Sequence, residues 1–261
     1  MNGPYMSRIT DTFNKLNKSG NKALIPYIMA GDPSLDATKQ FVLDLEAAGA
    51  DIIELGVPFS DPLADGPTIQ QAADRALRNG TTLKKVLSLV KEIRRISGIP
   101  LILMTYYNPV FKLGIETFVQ KAVSAGVDGV IIPDLIPDEA EDFIKLARMQ
   151  GLDTIFLLAP TSTPDRINRV VRASTGFLYY VSITGITGSK LSIEKNMKDT
   201  LHSIRGITSK PVAVGFGISS PGEASAMAKL ADGVIVGSAI VKLIAQGKSI
   251  KNYVKSLRKA I

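Results

Sequence analysis

Two carboxylates, Glu54 and Asp65, stand eleven positions apart in the run IELGVPFSDPLADGPTIQ (residues 53–70). An apolar, β-rich stretch delivers Glu54 to its end, and a Gly/Pro-rich loop then carries Asp61 and Asp65. Glu54 is flanked by Ile52, Ile53, Leu55 and Val57, so its carboxyl is expected to be desolvated, with a pKa raised toward neutrality. Such a group can both give and take a proton. Asp65 lies on a loop able to fold back over the strand mouth, where it is expected to stay ionised and to stabilise a developing cation. An Asp before Gly66-Pro67 also suits a simple turn, and a strand-end Glu also suits a salt bridge, so these two are candidates.

Few other side chains compete for proton transfer. Cysteine is absent, which excludes disulfides, thiolate nucleophiles and cysteine-ligated zinc or iron–sulfur sites. The single histidine, His202, falls in a charged helical stretch (Ile193 to Arg205) and reads as a solvated position. A Schiff-base aldolase needs a desolvated lysine; none ends a strand, and Lys190 is the nearest. One remote histidine with scattered carboxylates is thin support for a metal. Metal-free acid–base chemistry remains.

A second group of residues suggests what that chemistry acts on. SITGITGS (182–189), VGFGIS (214–219) and IVGSAI (235–240) place glycine beside small hydroxyl residues at three successive strand ends. Gly237-Ser238 also opens a helical stretch (Ala239 to Ala245), whose free N–H groups and positive dipole end favour a phosphate.

The elements that must position these residues follow from periodicity. Eight β-rich apolar runs alternate with segments of helical period: Ala23 to Ala30, Asp51 to Val57, Pro100 to Tyr106, Gly129 to Pro133, Thr154 to Ala159, Phe177 to Ser182, Pro211 to Gly215 and Gly233 to Gly237. Eight βα units in a chain of 261 residues predict one α/β domain, a (β/α)8 TIM barrel with an extra N-terminal helix and extended loops after the second and sixth strands. An open doubly wound sheet is the alternative, but no Gly-x-Gly-x-x-Gly opens a first βα turn. In both architectures ligands gather at the carboxyl ends of the strands. The two long loops, Pro58 to Pro67 and SITGITGSKLS, are candidate lids.

The net charge of +7 is local, because residues 242–261 hold Lys242, Lys248, Lys251, Lys255, Arg258 and Lys259 and no acid. Ile250, Val254, Leu257 and Ile261 recur among them at helical spacing, predicting a terminal helix with one buried and one solvated basic face rather than a nucleic-acid surface. No apolar run approaches the roughly 20 residues that span a bilayer. The start, MNGPYMSRITDTF, lacks the features of a secretory signal, so a cytoplasmic enzyme is expected, with residues 1–6 an unstructured lead.

The chain resembles the tryptophan synthase α subunits over essentially its whole length. The resemblance rests on IPYIMAGDP (25–33), IELGVPFSDPLADGPTIQ (53–70), YYNP (106–109), IIPDL (131–135), the SxTGxTG loop (182–188), GFGIS (215–219) and VGSAIV (236–241). It implies a carbon–carbon lyase in tryptophan biosynthesis that cleaves indole-3-glycerol phosphate to indole and glyceraldehyde 3-phosphate by a retro-aldol reaction. Carried over by position, Glu54 protonates indole C3 and takes the glycerol hydroxyl proton, and Asp65 accepts a hydrogen bond from the indole N–H. Tyr179 lies near the reacting glycerol, and Thr187 bonds Asp65 on lid closure. Gly188, Gly217, Gly237 and Ser238 hold the phosphate; Tyr27, Met104, Tyr106, Ile131 and Phe216 wall the indole. Asp61, Pro62 and Asn108 match positions at an interface with the β subunit, in an α2β2 heterotetramer. The resemblance implies no cofactor or metal in this chain; pyridoxal phosphate belongs to the β partner. Ile183 and Thr184 depart from the Arg and Ala that some members carry, which touches lid contacts and not the chemistry. A free-standing indole-glycerol-phosphate lyase and a non-catalytic regulatory subunit are the alternatives.

Overall fold

The computed structural model describes residues 7–181, 190–215 and 217–261, with only the backbone of 190–196. Its strands are β1 (Ala23–Met29), β2 (Ile53–Gly56), β3 (Leu101–Met104), β4 (Gly129–Ile131), β5 (Asp153–Ile155), β6 (Leu157–Leu158), β7 (Leu178–Val181), β8 (Val212–Gly215) and β9 (Gly233–Val236). Around them run α1 (Arg8–Lys18), α2 (Leu35–Ala47), α3 (Pro67–Arg78), α4 (Leu83–Ile93), α5 (Tyr107–Leu113), α6 (Ile115–Ala125), α7 (Glu141–Gln150), α8 (Pro164–Ala173), α9 (Lys190–Ile207), α10 (Pro221–Ala228), α11 (Ser238–Ala245) and α12 (Lys251–Arg258).

Every strand pairing is parallel, in the order β5-β4-β3-β2-β1-β9-β8-β7-β6. β5 and β6 flank Phe156 and are two pieces of the fifth apolar run. The first pairs with β4 and the second with β7, so that run joins both edges and closes the barrel. All eight sequence runs therefore become barrel strands, and the open-sheet alternative falls.

Parallel strands covered on both faces need apolar side chains pointing both ways. Ile53, Leu55, Leu101 and Leu103 face outward into the layer shared with the helices. Ile25, Ile52, Ile102, Ile131 and Ile155 fill the interior. Helix starts are set by local chemistry: Ser34 caps α2, Thr163 precedes Pro164 at the start of α8, and Ser220 with Glu223 forms a capping box on α10.

The bottom of the barrel is sealed. α1 lays Ile9 and Phe13 across the N-terminal ends of the strands, with the Phe13 ring 5.5 Å from that of Phe177. Burying two such side chains stabilises this closure by about 1.5–3 kcal/mol each. The Ser7 hydroxyl caps α1 and donates to Asp153. Buried Asp128 takes Arg8 at 2.7 Å, Arg94, and the Leu101 N–H at 2.8 Å. Asp51 accepts from the Leu24 N–H and pairs with Arg258 of α12, both at 2.7 Å. The basic terminal segment is thus not a uniform solvated face: Val254 and Leu257 are buried as the period predicts, but Arg258 turns inward to tie the last helix to the barrel floor. His202 is exposed on α9, as expected.

Candidate active site

The carboxyl ends of the strands open onto a cavity. It has a volume of about 720 Å³ and is lined by Glu54, Asp65, Tyr27, Met104, Tyr179 and Ile235 on its barrel side. Gly217, Ile218, Ser219, Gly237 and Ser238 line it beyond the last strands.

Glu54 points inward from β2, in register with Tyr27 on β1 and Ile102 on β3. Two residues on, the next inward position of β2 is Gly56, and the reason for glycine is the Tyr27 phenol. A Cβ on Gly56 would lie 2.1 Å from the Tyr27 Oη. Tyr27 leans along its strand and takes the space above Glu54 that a side chain at 56 would fill. The same device recurs across the barrel, where a Cβ on Gly215 would lie 2.5 Å from the Tyr179 Oη. Two phenols thus lie over the strand ends and keep the carboxyl beneath them dry.

The consequence is electrostatic. Glu54 is 1% exposed, and its Oε1 has no hydrogen-bond partner among the described residues. Burial, and then the nearby Asp65, push its pKa from 4.5 up to about 8. At neutral pH it carries a proton. Burial also raises Asp65, to about 6, against the lowering effect of a hydrogen bond from the Tyr106 hydroxyl. Asp65 is therefore mostly ionised at neutral pH. The phenols of Tyr27 and Tyr179 are held well above their usual range by burial and by both carboxylates, and so remain donors.

Asp65 sits at the end of the loop that joins β2 to α3. The Tyr106 hydroxyl accepts from the Ala64 N–H at 3.0 Å and bonds the Asp65 carboxylate, while its ring packs 5.3 Å from Phe59. Asp65 N donates to Pro62 O at 3.0 Å, and Gln70 reaches back to the Asp65 carbonyl at 2.8 Å. α3 is fixed in turn by Arg75, which makes two 2.8 Å bonds to buried Asp32 at the end of β1.

Not every expected residue meets the cavity. Tyr27, Met104 and Tyr179 line it, as do Gly217, Gly237 and Ser238. Tyr106 instead faces the loop behind Asp65, because the chain turns into α5 at this residue and directs its hydroxyl to Ala64. Ile131 lies lower, among Ile25, Ile102 and Ile155 in the barrel interior. Neither of these two, both expected from the sequence in the indole wall, is among the described residues that line the cavity. Asp61 and Asn108 are exposed and Pro62 is half-buried, outside the cavity. Ile183, Thr184, Thr187, Gly188 and Phe216 lie outside the described residues, as does the lead at 1–6.

The structure adds lining residues that the sequence reading missed. Gly66, Thr68 and Ile69 come from the start of α3; Lys242, Leu243 and Gln246 come from the cavity-facing side of α11; Tyr253 comes from α12. The Tyr253 hydroxyl donates to Ser219 O at 2.9 Å and joins α12 to the loop after β8. Helical spacing was the available signal for Lys242, which stands four residues after Ser238 on one helix. Among the described residues no cluster of metal-ligating side chains forms, and no helix is long and apolar enough to cross a membrane.

Comparison with known proteins agrees with this architecture. The family model described as "Tryptophan synthase alpha chain" matches residues 13–260. The tryptophan synthase alpha chain of Geotalea daltonii is 52% identical over 258 residues, 98% of each chain. That of Geobacter sulfurreducens is 50% identical over 98% of this chain and 99% of its own. Among solved structures, the tryptophan synthase subunit alpha of Legionella pneumophila superposes with a TM-score of 0.90 at 37% identity, covering 98% of this chain and 99% of that one. A chain of the tryptophan synthase complex of Pyrococcus furiosus gives 0.82 at 40% identity, covering 91% and 96%.

Proposed function

The chain belongs to the tryptophan synthase alpha-chain family, and from that premise we propose that Glu54 and Asp65 divide the work of the family's lyase reaction between a proton carrier and a fixed negative charge. The activity is that of the family: a carbon–carbon lyase of tryptophan biosynthesis.

In the proposed cycle the neutral Glu54 carboxyl gives its proton to indole C3 of indole-3-glycerol phosphate. The ring becomes an indoleninium, whose positive charge is shared with N1–H. Ionised Asp65 accepts that N–H and stabilises the cation, a charge-assisted bond of the stronger kind. Glu54, now a carboxylate, takes the proton of the glycerol hydroxyl next to the ring. The carbon–carbon bond breaks, its electrons return to the indole, and the hydroxyl carbon leaves as the aldehyde of glyceraldehyde 3-phosphate. One proton leaves Glu54 and one returns, so the site is restored without a cofactor of its own. Tyr179 stays a phenol beside the glycerol. Gly217, Gly237 and Ser238, with Gly188, bind the phosphate at the uncapped start of α11. Tyr27 and Met104, with Phe216, wall the indole.

The observation that carries the reading is the separation of the two carboxyl groups: one buried with an unpartnered oxygen and a pKa of about 8, the other bonded through Tyr106 with a pKa of about 6. Glu54→Gln keeps the shape of the strand end but has no proton to give. It is expected to abolish cleavage while leaving the fold and phosphate binding intact; retention of more than about a tenth of the activity, a barrier rise below roughly 1.4 kcal/mol, overturns the assignment. Asp65→Asn keeps the loop but removes the charge, and is expected to be severe as well.

As a family member the chain is expected to work with a β subunit, in an α2β2 heterotetramer in the cytoplasm, with pyridoxal phosphate held by β, and to pass its indole there. The proposed contacts are exposed Asp61 and half-buried Pro62 on the loop after β2, and exposed Asn108 at the start of α5. An indole-release assay with and without β separates this from a free-standing lyase, whose turnover would not change.

A further inference from the structure

We propose that Lys242 supplies the counter-charge for the substrate's phosphate and makes the cavity selective for a dianionic over a neutral glycerol side chain. This deepens the phosphate reading and rests on it.

Lys242 is the one basic side chain among the described residues that line the cavity, whereas two carboxyl groups, Glu54 and Asp65, line the same space. A dianion entering there meets ionised Asp65, and neutral backbone donors at one helix start offset that repulsion only in part. The same cavity receives the unpartnered Oε1 of Glu54, so it is a place built to contact a ligand and not a passive surface groove.

Helix geometry places the lysine well. Ser238, Lys242 and Gln246 follow one another at four-residue spacing and all line the cavity. Lys242 is about 6 Å along the axis from Ser238 at ~1.5 Å per residue. Side chains of a helix tilt toward its N-terminus and cover the turn that precedes them, so the long stem of Lys242 runs back over the turn of Ser238. Lys242 is exposed at the cavity rim, and from there its ammonium has the reach to meet an anion seated on the free N–H groups of that turn. No acid holds it elsewhere: among the described residues Lys242 has no ion-pair partner, while Lys251 stands 3.9 Å from Asp44 and Arg258 2.7 Å from Asp51. Reading Lys242 with the basic terminal segment hid this, since it belongs to the helix before that segment.

The experiment compares the full-length chain with Lys242→Gln and Lys242→Arg. It measures KM and kcat for indole-3-glycerol phosphate, competitive inhibition by glycerol 3-phosphate across a range of salt, and inhibition by indolepropanol, which has no phosphate. For Lys242→Gln the inhibition constant of glycerol 3-phosphate and KM are expected to rise about tenfold, the worth of one charge-assisted contact. kcat is expected to change less than about threefold, the salt dependence to weaken, and indolepropanol to bind as before; Lys242→Arg restores most of the loss. An unchanged inhibition constant and salt dependence overturn the proposal, as does an equal loss for indolepropanol, which marks a general packing defect. If the unaltered chain does not bind glycerol 3-phosphate in competition with substrate, the phosphate reading itself fails, and this inference with it.

Discussion

Replacing Glu54 by Gln is expected to remove activity, and it should also stabilise the protein, by an amount set by pH. The carboxyl pKa stands near 8 in the folded chain and at the ordinary 4.5 when the chain unfolds. Below pH 4.5 both states hold the proton and the group contributes no pH dependence. Between 4.5 and 8 the unfolded chain releases the proton and the folded chain keeps it, so the folded state binds more protons and stability falls as pH rises. The gap of roughly three and a half units, at about 1.4 kcal/mol each, gives about 5 kcal/mol by pH 8. That is a large share of the roughly 5–15 kcal/mol that holds a typical domain together. Glutamine has no proton to lose and keeps the shape. The test is urea unfolding of both proteins at pH 4.5, 6 and 8. Taking the difference between the two removes the slopes due to Asp65, Asp51 and Asp153, whose burial raises them in the same direction. The variant should match the parent near pH 4.5 and exceed it by about 5 kcal/mol at pH 8. A difference that stays constant within about 1 kcal/mol over this range refutes the claim that Glu54 is held neutral by its surroundings.

On the proposed roles the same two groups set the activity profile: kcat/KM should follow a bell with apparent pKa values near 6 and 8, rising as Asp65 ionises and falling as Glu54 loses its proton. A profile flat from pH 5.5 to 8.5 in steady-state assays would contradict the assignment. Tyr106→Phe keeps the ring against Phe59 but deletes the bonds to Ala64 and Asp65, so the acid limb should move up by about one unit while the alkaline limb stays; rescue by any hydroxyl-free residue would count against this role. Gly215→Ala puts a methyl 2.5 Å from the Tyr179 Oη. It should lower stability by about 1–3 kcal/mol in urea titration and weaken substrate binding, because the displaced phenol enters the cavity.

Most of the barrel was legible because each strand is a short apolar run bounded by turn residues, and that signal depends only on neighbours in sequence. The break at Phe156 was not, since it arises where the fifth strand changes partner from β4 to β7. Glu54 was legible for the same local reason: a lone carboxylate within an apolar strand is expected to be desolvated, as it is. Tyr106 was not, because its direction is decided by the Ala64 N–H, 42 residues away in the chain. Arg258 was misread for a similar reason; its partner Asp51 lies 207 residues upstream, beyond any periodic pattern.

The glycine on β2 and the hydroxyl of Tyr106 account for the different behaviour of the two carboxyl groups. Delivering a proton to carbon needs a donor that is neutral and held still, which a strand provides and a loop does not. Glu54 has its place fixed by the ladders to Tyr27 and Ile102, and its neutrality fixed by the phenol that Gly56 admits above it. Holding a cation needs an ionised group that can approach the ring after the substrate has entered. Asp65 is on a loop, and one hydroxyl from Tyr106 offsets part of the burial that would otherwise protonate it. In the proposed mechanism a rigid strand thus sets the proton donor, whereas a tethered loop sets the charge, and exchanging Glu and Asp between the two positions would put a short side chain where reach is needed and a long one where the tether is tight.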